Sequence, residues 1–271
     1  MDPIVIAAGN AGPMTGAGNN TYLIPGRDRM VLVDAGPGDA VHVAAVGRCL
    51  DLHGRPLTDV LVTHGHDDHA GGASTLARMF GATCAKFAWP GHDARHAVAW
   101  RLLADGARIE VGGAGPLVAF HTPGHSPDHL AFWHEESRLL FTGDLVNPLG
   151  SVAIAWSRGG DMAAYLASLA RMAGLRPRRL LPAHGPPIDD PDRHLAAAIA
   201  HRLRREAQVA EAVAGGLGTV AAIADSIYDG LDPALLPAAR ENVRAHLEKL
   251  RTDGIVCEEH ATWKRRSTSS T

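Results

Sequence analysis

The sequence is poor in cysteine and in aromatic residues and has no long apolar run, and each shortage narrows the field. Its 271 residues hold three cysteines, Cys49, Cys84 and Cys257, with no CxxC among them. Neither a zinc ribbon nor a thioredoxin-like redox site is supported. An odd, sparse count suits a reducing compartment better than a disulfide framework. No run of about 18 apolar residues offers a membrane span, and the opening Met-Asp-Pro-Ile-Val-Ile lacks the basic and apolar regions of a signal peptide. The expectation is a cytoplasmic protein with no membrane partner. A net charge of −3 gives no overall attraction to nucleic acid or anionic lipid. With 46% apolar and 20% charged residues, a packed core is expected rather than disorder.

The first half reads as short strands between glycine-rich turns. Ile4–Ala8, Thr21–Ile24, Met30–Asp34 and Asp59–Thr63 are apolar or β-branched runs. Ala40–His53 and Ala70–Phe80 have apolar residues at helical spacing and stop near Gly54 and Gly81. Arg108–Val111, Leu117–His121, His129–His134 and Leu139–Thr142 read as further strands, the last two as a hairpin. After a loop at 147–160, Asp161 is placed to cap a helix reaching about Ala173, and Arg179–Pro182 is a short strand. The pattern changes after Pro191: one long helix to Ala214, a glycine break, helices at Val220–Tyr228 and Pro237–Thr252, then a short β-like end. Two helices and a terminal hairpin are the minimum for a winged-helix-like module. The polar tail Ser267–Thr271 is expected to be mobile.

What is plentiful is histidine, at 16 residues, and the chemistry lies in how some of them cluster. Thr-His-Gly-His-Asp-Asp-His spans Thr63 to His69, directly after an expected strand. Neutral imidazole and carboxylate suit zinc and other divalent transition metals. His64 and His66 can reach one ion, while Asp68 and His69 turn toward a second. Small Gly65 lets the backbone crowd in. Three more ligand-type residues follow strand-like runs: His125 in Thr-Pro-Gly-His-Ser, Asp144 in Phe-Thr-Gly-Asp, and His184 in Pro-Ala-His-Gly. Together they make seven ligands, enough for two adjacent ions with room left for water. Asp34, at the end of another strand, is placed either to hydrogen-bond a ligand histidine or to serve as a turn residue.

These elements, in this order, resemble the metallo-β-lactamase superfamily over roughly residues 1–190. The resemblance implies an α/β fold, an αβ/βα sandwich with its metal site at one edge. It implies that His64, His66 and His125 hold one metal, that Asp68, His69 and His184 hold the other, and that Asp144 bridges them. It favours zinc for the two divalent ions, although manganese or iron also suits such donors. It argues against some relatives. The commonest class B β-lactamases carry Cys where Asp144 stands and lack a histidine at position 69, and flavo-di-iron members carry Glu in place of His66. Hydroxyacylglutathione hydrolases share the histidine cluster, but not this C-terminal pattern. The stretches Asn10–Thr15, Gly18–Leu23 and Thr122–His129, with His201, Arg202, Arg205, Glu206, Asn242, His246 and Leu247, are similar to the lactamase-β-like protein 2 group, whose members include a single-strand-selective endoribonuclease and thioesterases of carrier-bound acyl chains.

The expected organisation is a metallo-β-lactamase-like domain at 1–190, a connecting helix at 191–215 and a small winged-helix-like domain at 216–271. The expected reaction is attack on a carbonyl ester or thioester by a metal-bound hydroxide, oriented by Asp68 as the catalytic residue. The favoured partner is a small-molecule or acyl-carrier substrate. The alternative is endonucleolytic cleavage of single-stranded RNA, with Arg202, Arg204 and Arg205 as a track, although a solvated helix face is the preferred reading of those arginines. A third reading is a non-catalytic nucleic-acid binder with structural metals, but such sites are usually closed and four-coordinate. Residues 216–271 carry seven Lys/Arg against eight Asp/Glu, too even a balance for a DNA-reading winged helix. That module is expected to cover the active site or to build the interface of a homodimer. Phe87, Trp89, Trp100 and Trp156 are candidates to line an apolar cleft. His129 is expected to support the His125 loop without being a ligand, and no partner is identified for His92, His96, His121 or His134.

Overall fold

The computed structural model describes residues 1–113 and 115–266, so the tail expectation at Ser267–Thr271 lies outside the described residues. In chain order the elements are β1 (Ile4–Ala7), β2 (Asn20–Pro25), β3 (Met30–Val33), α1 (Ala40–His53), β4 (Leu57–Leu61), α2 (Asp67–Ala70), α3 (Ala73–Phe80), β5 (Thr83–Lys86) and β6 (Arg101–Leu102). Then come β7 (Arg108–Glu110), β8 (Pro116–His121), β9 (Leu130–His134), β10 (Leu139–Gly143), α4 (Met162–Gly174), β11 (Arg179–Pro182) and α5 (Pro191–Ala214). The chain ends with α6 (Val220–Ile227), α7 (Leu236–Thr252), β12 (Val256–Glu259) and β13 (Thr262–Arg265).

Two mixed sheets face each other. The first has six strands in the order β1-β2-β3-β4-β5-β6, parallel from β3 onward. The second has five, β11-β10-β9-β8-β7, with only the β10–β11 pair parallel. Both are buried on two faces, which is why β3, β9 and β10 are buried at every position rather than alternating. Ile24, Val31 and Val33 of one sheet meet Phe132, Phe141 and Leu181 of the other between the layers. Each such side chain contributes roughly 1.5–3 kcal/mol by leaving water. Outside the first sheet, Val43, Val46 and Leu50 of α1 and Leu76 of α3 close a second core. Outside the other, Tyr165, Leu169 and Met172 of α4 and Leu195 of α5 close a third. The layers run helix, sheet, sheet, helix.

A fourth core belongs to the C-terminal part. It joins Val209 and Val213 from the end of α5 to Ile223 of α6, Val243, Leu247 and Leu250 of α7, and Val256 and Trp263 of the β12–β13 hairpin. Helix α5 therefore enters two cores, one with each half. No helix among the described residues is long and apolar enough to cross a membrane. All three cysteines are free.

The structure departs from the sequence reading in a few places. The helix expected from Ala70 is two pieces, α2 and α3, because the backbone at Gly71–Gly72 packs on the turn at 35–38 and the Gly72 N–H donates to Gly36 O at 2.8 Å. Strands β5 and β6 were not expected. β5 is Thr-Cys-Ala-Lys, short and weakly apolar, and it is a strand because β4 supplies a partner. Asp161 does cap α4, accepting from the Ala164 N–H at 2.9 Å.

Candidate metal centre

The cluster forms where both sheets end on one side. Asp34 follows β3, Thr63 to His69 follow β4 and run into α2, His125 lies in the loop from β8 to β9, Asp144 follows β10, and His184 follows β11. Strand ends from two sheets bring residues as distant in sequence as His64 and His184 to one point, and small residues let them close. Gly143 has φ +49°, and a Cβ there would lie 2.8 Å from both His129 Nε2 and Thr63 Oγ1. A Cβ at Gly65 would meet His92 Nδ1 at 3.0 Å and Asp128 Oδ2 at 3.2 Å. Crowding at Gly65 thus comes from supporting side chains.

Within the cluster the ligand-type atoms form two groups. His66 Nδ1 lies 2.9 Å from His64 Nε2 and 3.0 Å from His125 Nε2. The other group is Asp68 Oδ2, His69 Nε2 and His184 Nε2, at 3.4 Å and 3.6 Å from the aspartate oxygen. Asp144 sits between them: Oδ1 is 3.5 Å from His69 Nε2 and 3.2 Å from His184 Nε2, and Oδ2 is 3.5 Å from His125 Nε2. Three of the combinations have the closeness a single ion requires: His64 with His66 and His125, His64 with His69 and Asp144, and Asp68 with His69 and His184.

Fixed tautomers sharpen the geometry. His125 Nδ1 is 2.8 Å from the carbonyl of Ala153, which can only accept, so Nδ1 carries the hydrogen and Nε2 is a lone pair in the neutral ring. His69 Nδ1 donates to Asp34 Oδ2 at 2.9 Å. Asp34 also accepts from the N–H of Thr63 at 2.8 Å and from its Oγ1 at 2.9 Å. This buried aspartate adopts φ +63°, a conformation that Asp tolerates better than most residues, to present its carboxylate to both.

Charge follows from burial and neighbours. Burial, aided by neighbouring imidazoles, holds His64 well below its ordinary value and takes His66 down to about 3. Burial also opposes protonation of His69, but the carboxylates of Asp68, Asp144 and Asp34 outweigh it and hold His69 well above its ordinary value. Asp144 and Asp68 stay below the usual carboxylate range, against the cost of burial, mainly through His69. His64 and His66 are thus held as neutral rings, while the carboxylates around His69 draw positive charge. Asp144 Oδ1 is buried without a hydrogen bond of good alignment. The donor set fits two divalent cations.

Residues not expected as part of the site support it. Asn19 Nδ2 donates to Asp68 Oδ2 at 3.1 Å and lies 3.3 Å from His69 Nε2, while Asn10 pairs with the other end of the same amide at 2.7 Å. Both belong to the stretches Asn10–Thr15 and Gly18–Leu23 that carried part of the family resemblance, which was the available signal. His129 takes the Asp144 N–H on Nε2 at 3.1 Å and pairs through Nδ1 with Thr122 Oγ1 at 2.8 Å. It therefore holds Asp144 as well as its own loop.

Three expectations need correction. Arg202 is not on a solvated face: it is 3% exposed and donates to Val152 O, because α5 lies against the 152–154 segment there. His96 Nε2 lies 3.0 Å from Gly65 O, His121 stacks on Phe87 at 3.9 Å, His92 stacks on Trp89 at 3.8 Å, and His134 pairs with Ser137, so none of the four lacks a partner. Among the described residues, no Phe, Tyr or Trp ring lines the cleft over the cluster. Phe87 and Trp89 are occupied by those stacks, and Trp100 packs against the outer core of the first sheet. That cleft has a volume of about 640 Å3, and α7 contributes part of its wall through Pro237, Ala238 and Glu241.

Comparison with known proteins gives the family. Residues 14–184 match the metallo-β-lactamase superfamily model, and residues 219–263 match the β-lactamase-associated winged helix domain. The "Beta-lactamase-like protein 2 homolog" of Caenorhabditis elegans is 30% identical over 93% of this chain and 84% of its own. The "Atrochrysone carboxyl ACP thioesterase nsrC" of Aspergillus novofumigatus is 32% identical over 91% of this chain and 78% of its own. The "Lactamase-like protein aptB" of Emericella nidulans is 38% identical over 76% of this chain, and the match spans 63% of that relative's length. A metallo-β-lactamase family protein of Thermus thermophilus superimposes with a TM-score of 0.82 at 23% identity, covering 97% of this chain and 98% of the other. With its sandwich, its strand-end cluster and its terminal winged helix, this chain belongs to the metallo-β-lactamase superfamily.

Proposed function

We propose that the protein is a binuclear metal-dependent hydrolase of carbonyl esters or thioesters. His64, His66 and His125 would hold one ion, Asp68, His69 and His184 the other, and Asp144 both. Two divalent cations there, most simply zinc, would supply Lewis acidity and a water whose pKa falls from 15.7 to about 7. The remaining steps belong to side chains. Asp68 faces the cleft with its side chain 27% exposed, ionised and steadied by Asn19, and serves as a hydrogen-bond acceptor that orients the attacking water. Asp34 and Ala153 fix the rings of His69 and His125, so that their Nε2 atoms need no reorganisation.

The observation that carries the substrate reading is the wall of the cleft. Beside small apolar side chains such as Val146, Val152, Ala155 and Ala238, it carries the carboxylates of Asp67, Asp68, Asp144 and Glu241 against the two guanidinium groups of Arg95 and Arg158. A phosphodiester backbone calls for a cationic track. With Arg202 buried beneath the 152–154 segment, the arginines of α5 offer less of one than the sequence suggested. A relative named as an acyl-carrier thioesterase supports the same choice.

The test is turnover of zinc-loaded protein on an acyl thioester and, separately, on labelled single-stranded RNA, with Asp68→Ala as the control. Thioester cleavage that the variant loses is the expected result. RNA cleavage lost in the variant, with the thioester untouched, would reverse the substrate assignment.

A further inference from the structure

Between the metal cluster and α7 runs the segment 152–154. Its middle residue, Ala153, accepts from His125 Nδ1 at 2.8 Å and so decides which nitrogen of that ring is free. Both neighbours of Ala153 are gripped from the C-terminal part of the chain. The Ile154 N–H donates to Asn242 Oδ1 on α7 at 2.9 Å. The Val152 carbonyl accepts from Arg202 Nη2 on α5. Arg202 Nη1 lies 3.5 Å from the same Asn242 Oδ1, and the guanidinium sits over the Tyr165 ring at 5.1 Å. Arg202 is 3% exposed and Asn242 8%. Both belong to stretches that stood out in the sequence and that the reaction itself leaves unused.

We propose that Arg202 and Asn242 are positioning residues for the metal centre. They clamp 152–154 from both sides, so that the Ala153 carbonyl holds the His125 ring with its Nε2 lone pair aimed at His66 Nδ1. Helix α5, through Arg202, and the winged-helix module, through Asn242, act together on the three-histidine site through this peptide segment. The proposal rests on the metal-binding reading given above. A buried arginine and asparagine need not have done this: simple docking of the module would scatter contacts over its interface. Here the clamp bonds fall on the two residues that flank the ring's acceptor. The module has another docking bond, from the Ser157 N–H to Glu241 Oε2 at 2.9 Å, which lies outside this path. A shift of the 153–154 peptide would cost His125 its acceptor and let the ring turn, and residues behind a metal ligand typically change metal affinity about 10–100-fold.

The experiment titrates zinc into the metal-free full chain against a chromophoric chelator and reads the affinity of each ion, with circular dichroism to show that the fold is kept. Asn242→Ala is expected to weaken one of two ions by about 10–100-fold and to leave the other alone. Asn242→Asp keeps an oxygen acceptor for the Ile154 N–H beside Arg202 and is expected to bind both ions within about a few-fold of the wild type. Glu241→Ala breaks the separate docking bond and is expected to bind both ions as the wild type does. If Asn242→Ala does not fold, Asn242→Gln, which keeps the amide but moves it by one methylene, takes its place. Two ions bound by the alanine variant with wild-type affinity overturn the clamp alone. Equal losses in Asn242→Ala and Glu241→Ala also overturn it, in favour of general docking. A wild-type chain that takes up no zinc overturns the metal reading, and the clamp with it.

Discussion

Asp144→Ala is expected to lower turnover of the thioester by more than about 100-fold, beyond the usual range for residues that stand behind a ligand. Asp144 is the residue whose two oxygens face both groups of nitrogens, at 3.2–3.5 Å from His69, His184 and His125. Its carboxylate remains ionised although largely removed from solvent, because His69 and His184 lie against it. Removing it takes a negative charge from between two proposed cation sites and leaves the imidazoles to face one another. An asparagine at this position would keep the shape without the charge, so Asp144→Asn should lose nearly as much. Turnover and metal content, measured on the same samples, check this. Full activity in the alanine variant at wild-type metal content would refute the proposed role of Asp144.

The largest effect on stability is expected behind the site. Lys86 and Asp128 are fully buried and paired at 2.8 Å, and Asp93 approaches the same ammonium at 2.5 Å. Lys86 also donates to Phe87 O at 2.7 Å, and Asp128 accepts from Ser126 Oγ at 2.9 Å. The pair ties β5 to the loop that carries His125. Removing Asp128 leaves Lys86 only the partly exposed Asp93 and the Phe87 carbonyl, so the cost falls toward the lower end of the about 3–5 kcal/mol of a broken buried pair. Asp128→Ala should lower the free energy of unfolding by that much, read as an earlier midpoint in urea denaturation. The double replacement Lys86→Met with Asp128→Leu should recover part of the loss, since a well-packed apolar pair removes both charges. A midpoint that does not move in Asp128→Ala would show that solvent already reaches the pair.

Much of this was legible in the sequence, for physical reasons. Residues 63 to 69 stand out because four ligand-type side chains fall within six positions directly after a strand. The strands β3, β9 and β10 were legible because burial on both faces demands unbroken apolar runs. Other features had no local signature. β5 is a strand through its pairing with β4, and its composition alone does not mark it as one. Arg202 looks solvated on a helical wheel, and its burial depends on a segment 50 positions away. The stretch holding Asn19 and the loop-supporting role of His129 were marked in the sequence, but their bonds to Asp68 and Asp144 arise only when distant strand ends converge. The aromatic residues misled because a ring in a histidine-rich chain has histidines to stack on, and Phe87 and Trp89 spend their faces that way.

Helix α5 belongs to two cores, Leu195 lying in the sandwich and Val209 and Val213 in the terminal module. A recombination event that donated or removed the module would find no loop at this boundary. Its breakpoint would fall inside a continuous helix, where a change of one residue rotates everything beyond it by about 100°. Insertions and deletions there are tolerable only near whole turns, so the two parts have to be inherited in register, as one reading frame of side-chain angles.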